Sequence, residues 1–177
     1  MEHDALTRVL APDYLGDLKA RSMDELREMR AECQRLETNV SLNRRVVQGR
    51  IDIVGEVLRS RAEGGEPIDV KTLVERLGDI LSERTRAPGV GRLTQMLAPS
   101  EEDFDTSEVD EVLPAGRIDA LTEAEVSELE GMLDSLVELD HVISARRHAL
   151  FEQVDALQAE MTRRYKTGEE SVDSLLR

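Results

Sequence analysis

Five polar residues, spaced along one face of a helix, give this sequence its clearest capacity to bind a ligand. They lie at offsets of 0, 4, 7, 11 and 15 positions and are Glu37, Ser41, Arg44, Gln48 and Asp52. At about 100° per residue these offsets fall within an arc of about 80°, so the side chains form one polar stripe, the first stripe. Its donors and acceptors suit the recognition of a nucleotide, and it holds no nucleophile–base pair for catalysis.

A second, weaker stripe recurs 103 positions later in the chain. It consists of Asp140, Ser144, Arg147, Phe151 and Asp155. Apolar residues also match at this offset without gaps, which heptad repeats alone would produce. Heptads would not make the serine, the arginine and the last aspartate match as well. The repeat therefore predicts a duplicated functional helix, or convergence on one.

The two stripes together suit a ligand that combines guanine with phosphate. Guanine O6 and N7 accept hydrogen bonds from arginine, whereas its N1–H and N2–H₂ groups donate to a carboxylate. A phosphodiester accepts from arginine, serine and glutamine. The carboxylates argue against a bare phosphate site, because they would repel the anion.

Two long helices must position the stripes. Ser22 with Glu25, and Thr122 with Glu125, form possible capping boxes that predict helices over residues 22–61 and 122–166. Asp140 and Arg147 occupy seam positions where the pattern expects apolar residues, and a charge there is costly unless it is paired, solvated or bound. The expected seams are Leu26, Met29, Cys33, Leu36, Val40, Val47, Ile51, Val54 and Leu58, and Val126, Leu129, Leu133, Leu136, Ile143, Leu150, Val154, Leu157 and Met161.

The remaining segments complete one helical domain over residues 1–177. We expect a short N-terminal helix or arm over 1–20, a short helix over 66–84, an acidic flexible connection over 85–120 and a tail over 167–177. Aromatic residues make up only 2% of the chain and charged residues 34%, as is typical of coiled coils. The predicted fold is all-α: an antiparallel two-helix coiled-coil hairpin with one or two short accessory helices and a long acidic connecting loop.

The net charge of −15 bears on the class of partner. Direct binding to nucleic acid needs a basic surface, so we expect none. An acidic surface suits a basic protein, and it also serves solubility alone. Net charge alone therefore does not decide between a basic protein partner and a role in solubility.

Catalysis, metal binding and membrane insertion have no support in the sequence. It has no phosphate-binding glycine loop, and His141 and His148 lie seven positions apart, too far for the usual helical chelate. Cys33 is the only cysteine, which excludes an intramolecular disulfide framework and predicts a buried apolar role. There is no signal peptide and no apolar run of about 18 residues, so we expect a soluble, cytoplasmic protein. Because catalytic and metal-binding motifs are lacking, we also expect that it is not an enzyme.

The spacing Glu-x3-Ser-x2-Arg-x3-Gln-x3-Asp, present intact in the first stripe, resembles the signature of RsiG-type anti-sigma factors of spore-forming actinobacteria. The resemblance implies a helical hairpin that binds two cyclic di-GMP molecules through two copies of the motif. It implies that the loaded protein sequesters a WhiG-like sigma factor, which directs sporulation genes. The second copy departs from the signature at Asp140, which replaces glutamate, and at Phe151, which replaces glutamine.

A structural coiled-coil adaptor or dimerisation module without a small ligand is the alternative. The polar residues would then be ordinary pairs on a solvated helix face. A homodimer could also bring two stripes together. Because one chain carries both stripes, we expect a monomer that forms a one-to-one complex with its partner.

Overall fold

A computed structural model describes residues 2–63, 106–117 and 119–169, and within these ranges the chain contains helices and no strands. The two long helices are α2 (Met23–Ala62) and α4 (Val126–Thr167). The shorter elements are α1 (Glu2–Val9), α3 (Ser107–Val112) and 3₁₀ turns over Leu18–Ala20, Ala115–Arg117 and Asp119–Thr122. The all-α class and the two long helices are confirmed. The short helix expected over 66–84 and most of the acidic connection lie outside the described residues, so the hairpin as a whole stays a prediction.

The starts of the long helices follow from local capping. The Ser22–Glu25 box forms as predicted: Glu25 N–H donates to Ser22 Oγ at 3.2 Å and Ser22 N–H donates to Glu25 Oε2 at 2.7 Å. Helix α4 begins a turn later than expected. The capping hydrogen bond runs from the Glu125 N–H to the Glu128 carboxylate, at 3.1 Å, so the first turn of the helix follows Glu125. Val126, expected in the seam, is 44% exposed in this first turn.

The chain divides into two compact units, of which unit 1 comprises Met1–Ser41 and Ser144–Arg177. Within it, the segments of α2 and α4 pair antiparallel: Arg27 bonds Tyr165, while Cys33, further along α2, bonds Gln153, earlier in α4. The Gln153 amide donates to Val9 O at 2.5 Å and so holds the N-terminal arm against the helices. The buried apolar residues of unit 1 are Val9, Met23, Leu26, Cys33, Leu36, Val40, Leu150, Leu157 and Met161.

Unit 2 comprises Leu42–Ile143 and buries two faces of its α2 segment. The seam residues Val47 and Val54 are buried as predicted, but Ile53 and Val57 are also buried, whereas the expected Ile51 is only half-buried. Arg50 belongs to this second buried face. Its guanidinium is buried and bonds Leu113 O and, at 2.6 Å, Asp110 Oδ1.

The predicted flexible acidic connection contains an ordered part. Helix α3 lies within it, and Val109 in this helix and Leu113 directly after it are 1% and 2% exposed. Its Asp110 pairs with Arg50 and also accepts from Thr106 Oγ1 at 2.6 Å. Apolar anchors and a buried cation therefore order a sequence whose composition indicated mobility. Among the described residues, no helix combines the length and hydropathy needed to cross a bilayer.

Cys33 is expected to resist alkylation while unit 1 is folded. The residue is fully buried, and burial raises the pKa of its thiol, so the reactive thiolate is both rare and shielded. Iodoacetamide should label it rapidly in denaturant and slowly in native buffer, as followed by mass spectrometry. Native labelling at the rate of a solvent-exposed cysteine would contradict this burial.

Glu160 is expected to make the stability of the protein fall in acid. Hydrogen bonds from Arg163 and then Arg164 lower the pKa of its carboxyl from 4.5 to about 2. A lowered folded-state pKa means that the stabilisation is complete above pH 4.5 and is lost as the pH falls towards about 2. Chemical denaturation across this range should therefore show a shallower pH dependence for Glu160→Gln than for the wild type. A wild-type pH dependence in Glu160→Gln would contradict this contribution of Glu160.

Candidate ligand-binding site

The polar stripes lie beside the buried seams of their helices. The first stripe is on α2, where Leu36, Val40 and Val47 are buried; the second is on α4, where Ile143 and Leu150 are buried. Stripe side chains at the seam edge are consequently half-buried rather than fully solvated. Their charges therefore interact more strongly than charges on an open helix face would.

In unit 1 the stripes form a cluster of Glu37, Ser41, Arg147 and Phe151, here called the Arg147 cluster. Arg147 Nε donates to Ser41 Oγ at 2.8 Å and to Glu37 Oε1 at 3.0 Å. Ser41 Oγ also donates to Glu37 Oε1 at 2.6 Å, so the hydroxyl links the two charges. The guanidinium carbon lies 4.8 Å from the centre of the Phe151 ring, within the range of a cation–π contact.

In unit 2 they form a cluster of Arg44, Gln48 and Asp140, here called the Arg44 cluster. Arg44 Nε lies 3.2 Å from Asp140 Oδ1, which makes an ion pair. The Nε atom is buried, yet it has no hydrogen bond of acceptable geometry to the described residues. Gln48 Nε2 donates to the same Asp140 oxygen at 3.3 Å. Arg44 is therefore attracted by the carboxylate without being held by it.

Each motif arginine pairs with the acid of the opposite stripe. Glu37 and Asp140 are equivalent by the 103-residue repeat, as are Arg44 and Arg147, and the structure exchanges them: Arg147 with Glu37, Arg44 with Asp140. Each stripe also carries an acid on the same helix as its arginine, but the structure pairs neither Arg44 with Glu37 nor Arg147 with Asp140. In two antiparallel helices, the residue numbers of facing residues add up to the same value in every pair. Both observed pairs share one such sum, and this relation would have indicated the exchange.

Three of the predicted site residues are not members of these two clusters. Asp52 is half-buried on α2 in unit 2. In unit 1, Ser144 is half-buried and Asp155 is exposed, and neither makes a hydrogen bond or ion pair with the Arg147 cluster. The clusters therefore contain seven of the ten predicted residues, and Phe151 contacts the site through its ring.

Other features of the described residues offer less ligand chemistry. A shallow depression of unit 1 brings three carboxylates together, and two of them are already bonded, Glu25 to Arg21 and Glu32 to Tyr14. It is lined by Arg21, Glu25, Glu28, Met29 and Glu32. In the described part of the chain, no group of three His, Cys, Asp or Glu side chains could hold a metal ion.

The segment that carries the first stripe is similar to a known protein family. Residues 12–81 match a family model described as RsiG-like. No curated protein matches the chain. The family match confirms, for this segment, the resemblance to RsiG-type anti-sigma factors, a family that is regulatory rather than catalytic. The second stripe lies beyond the matched residues.

Proposed function

We propose that this protein is an anti-sigma factor that, when loaded with cyclic di-GMP, sequesters a WhiG-like sporulation sigma factor and blocks transcription. The RsiG-like match supports the anti-sigma role. The observation that carries the ligand assignment is that each motif arginine lies beside a carboxylate of the other stripe. Acting on RNA polymerase would place the protein in the cytoplasm.

The arginine–carboxylate pairs offer both kinds of contact that guanine needs. The arginines can donate to O6 and N7, and Glu37 or Asp140 can accept from N1–H and N2–H₂. Ser41 and Gln48 can donate to a phosphodiester. Arg44 Nε, buried without a hydrogen bond to the described residues, fits a ligand that supplies an acceptor. We infer one cyclic di-GMP for each cluster.

The pairing also predicts selectivity against simple anions. Each cluster contains one arginine and one carboxylate, and the two charges compensate each other in the absence of ligand. A free phosphate could take the arginine only by leaving an unpaired carboxylate beside an anion, which is unfavourable. Guanine replaces both members of the pair at once, because it presents acceptors to the arginine and donors to the carboxylate.

The partner is expected to present a basic surface. No lysine or arginine occurs over residues 118–145, and Glu130, Asp134 and Glu138 follow each other one turn apart on the exposed side of α4. Like charges at this spacing destabilise a helix slightly, and a cationic partner would relieve the repulsion. A DNA-binding sigma factor has such a surface, so we propose a one-to-one protein complex without direct contact to nucleic acid.

Complex formation with a labelled WhiG-like sigma factor tests the proposal. Fluorescence anisotropy should show binding with cyclic di-GMP, and little binding without nucleotide or with cyclic di-AMP. Ligand affinity should rise in the presence of the sigma factor by the same factor, because the coupling of two binding equilibria is reciprocal. Equal capture under all three conditions would refute the ligand dependence, and no capture would refute the partner.

One observation favours the structural alternative, a coiled-coil adaptor without ligand. The charged residues of both clusters already pair with each other, as they would in a purely structural helix pair. The alternative predicts that truncating Arg44 changes stability only. The proposed function predicts loss of ligand binding at the Arg44 cluster with little change in stability.

A further inference from the structure

The two motif arginines differ in how firmly the protein holds them. Arg147 Nε donates to two oxygens, at 2.8 and 3.0 Å, and its guanidinium lies against an aromatic ring. Arg44 Nε has an ion pair at 3.2 Å and no hydrogen bond to the described residues. Their side chains are similarly exposed, 37% for Arg147 and 34% for Arg44. The difference therefore comes from contacts rather than from access to solvent.

One position of the repeat has opposite effects in the two clusters. Phe151 and Gln48 are equivalent by the 103-residue offset. The Phe151 ring contacts the arginine of its cluster, whereas the Gln48 amide donates to the carboxylate of its cluster. Gln48 thereby competes with Arg44 for Asp140, while Phe151 adds to the contacts of Arg147.

We propose that this position sets the order of ligand binding: the Arg44 cluster takes the first cyclic di-GMP, and the Arg147 cluster binds a second one more weakly. The inference rests on the proposed function and extends it to the regulation of the same site. Phe151 is a positioning residue, since it acts through Arg147. The protein would thus respond to ligand in two stages rather than one.

The expected separation follows from the contacts that the second ligand must replace. A hydrogen bond to a charged group and a half-exposed cation–π contact together correspond to a difference of about 10- to 100-fold in affinity. The first ligand meets no comparable competition at Arg44 Nε. Guanine donors would still satisfy Glu37 after Arg147 is released, so the second step is weakened and not abolished.

Calorimetric titration of cyclic di-GMP into the full chain tests this order. The wild type should show two steps, and Arg147→Ala should lose the weaker one while retaining the tighter one. Phe151→Leu keeps apolar volume but removes the ring, and it should strengthen the weaker step about three- to tenfold. Phe151→Gln, which introduces the residue found at the equivalent position of the first stripe, should strengthen the weaker step at least as much.

A spectroscopic measurement separates positioning from a general effect on folding. The Arg147 Nε–H signal in nitrogen–proton spectra of the ligand-free protein should exchange slowly with water, and faster in Phe151→Leu. A thermal midpoint near that of the wild type would show that the variant is folded. Unchanged exchange in Phe151→Leu would overturn the role of the ring.

The remaining outcomes distinguish this inference from the proposed function. Two equal steps, or loss of the tighter step in Arg147→Ala, would refute the order while leaving cyclic di-GMP binding intact. Absence of binding, even with the sigma factor present, would refute the proposed function and this inference with it.

Discussion

Replacing Arg44 with alanine is expected to abolish ligand-dependent capture of the sigma factor and to weaken cyclic di-GMP binding at the Arg44 cluster about 100-fold or more. The estimate corresponds to losing two charge-assisted hydrogen bonds from one guanidinium to guanine or phosphate. Stability should change little, because the Arg44 side chain is one-third exposed and its Nε makes no hydrogen bond to the described residues. Calorimetry for the ligand and anisotropy for the complex measure the two losses.

Arg45→Ala is the matched control for this variant. Arg45 is the next residue of the same helix, carries the same charge and is exposed outside the stripe. Its removal changes the net charge equally, so it reports any long-range electrostatic effect. If both variants weakened binding by the same factor, Arg44 would have no specific role, and the structural coiled-coil alternative would be favoured.

Arg164→Ala should cause a large loss of stability without a direct effect on the proposed ligand site. The guanidinium is buried, bonds Glu160 at 2.9 Å and donates to the carbonyls of Arg21 and Leu18 at 2.8 and 2.7 Å. Its removal leaves several acceptors without a donor. We expect the free energy of unfolding to fall by about 3 kcal/mol, which lowers Tm by roughly 6–12 °C for a chain of this size.

Arg163→Ala is the control that shows whether the stability effect comes from burial of the arginine or from the number of its hydrogen bonds. Arg163 bonds the same Glu160 and also Glu169, but its side chain is 38% exposed, so solvent screens the pairs. Its loss should lower Tm by clearly less than the loss of Arg164. Hydrogen exchange should show faster opening around residues 18–21 in Arg164→Ala alone. Equal destabilisation by both variants would contradict the larger contribution expected from the buried Arg164.

Some arginines of the described chain bond backbone carbonyls, and others bond side chains. Arg50, Arg61 and Arg164 each donate to backbone carbonyls, which a ligand cannot replace without disturbing the local fold. Arg44 and Arg147 pair instead with carboxylates and side-chain oxygens, which can turn to a ligand by rotation of their side chains. This distinction makes the stripe arginines available to a ligand but does not single them out, because Arg8 and Arg163 also pair with carboxylates.

Local patterns were sufficient to predict the two long helices, although not where α4 begins. The Ser22–Glu25 capping box joins groups only three positions apart, so it could be predicted without the fold. The burial of Cys33, Leu36 and Leu150 follows from helical periodicity for the same reason. Both stripes were also visible as patterns, since a helix places residues three and four positions apart on one face.

Only the tertiary structure decided which partner each side chain takes. The pairing of Arg147 with Glu37 and of Arg44 with Asp140 depends on the register between antiparallel helix segments, which no local spacing specifies. The same holds for Arg50, whose partners in and beside α3 lie about 60 positions away in a segment of acidic composition. Local hydrogen bonding and periodicity act over a few residues, whereas a buried charge takes whichever acceptor the packing of distant elements brings within reach.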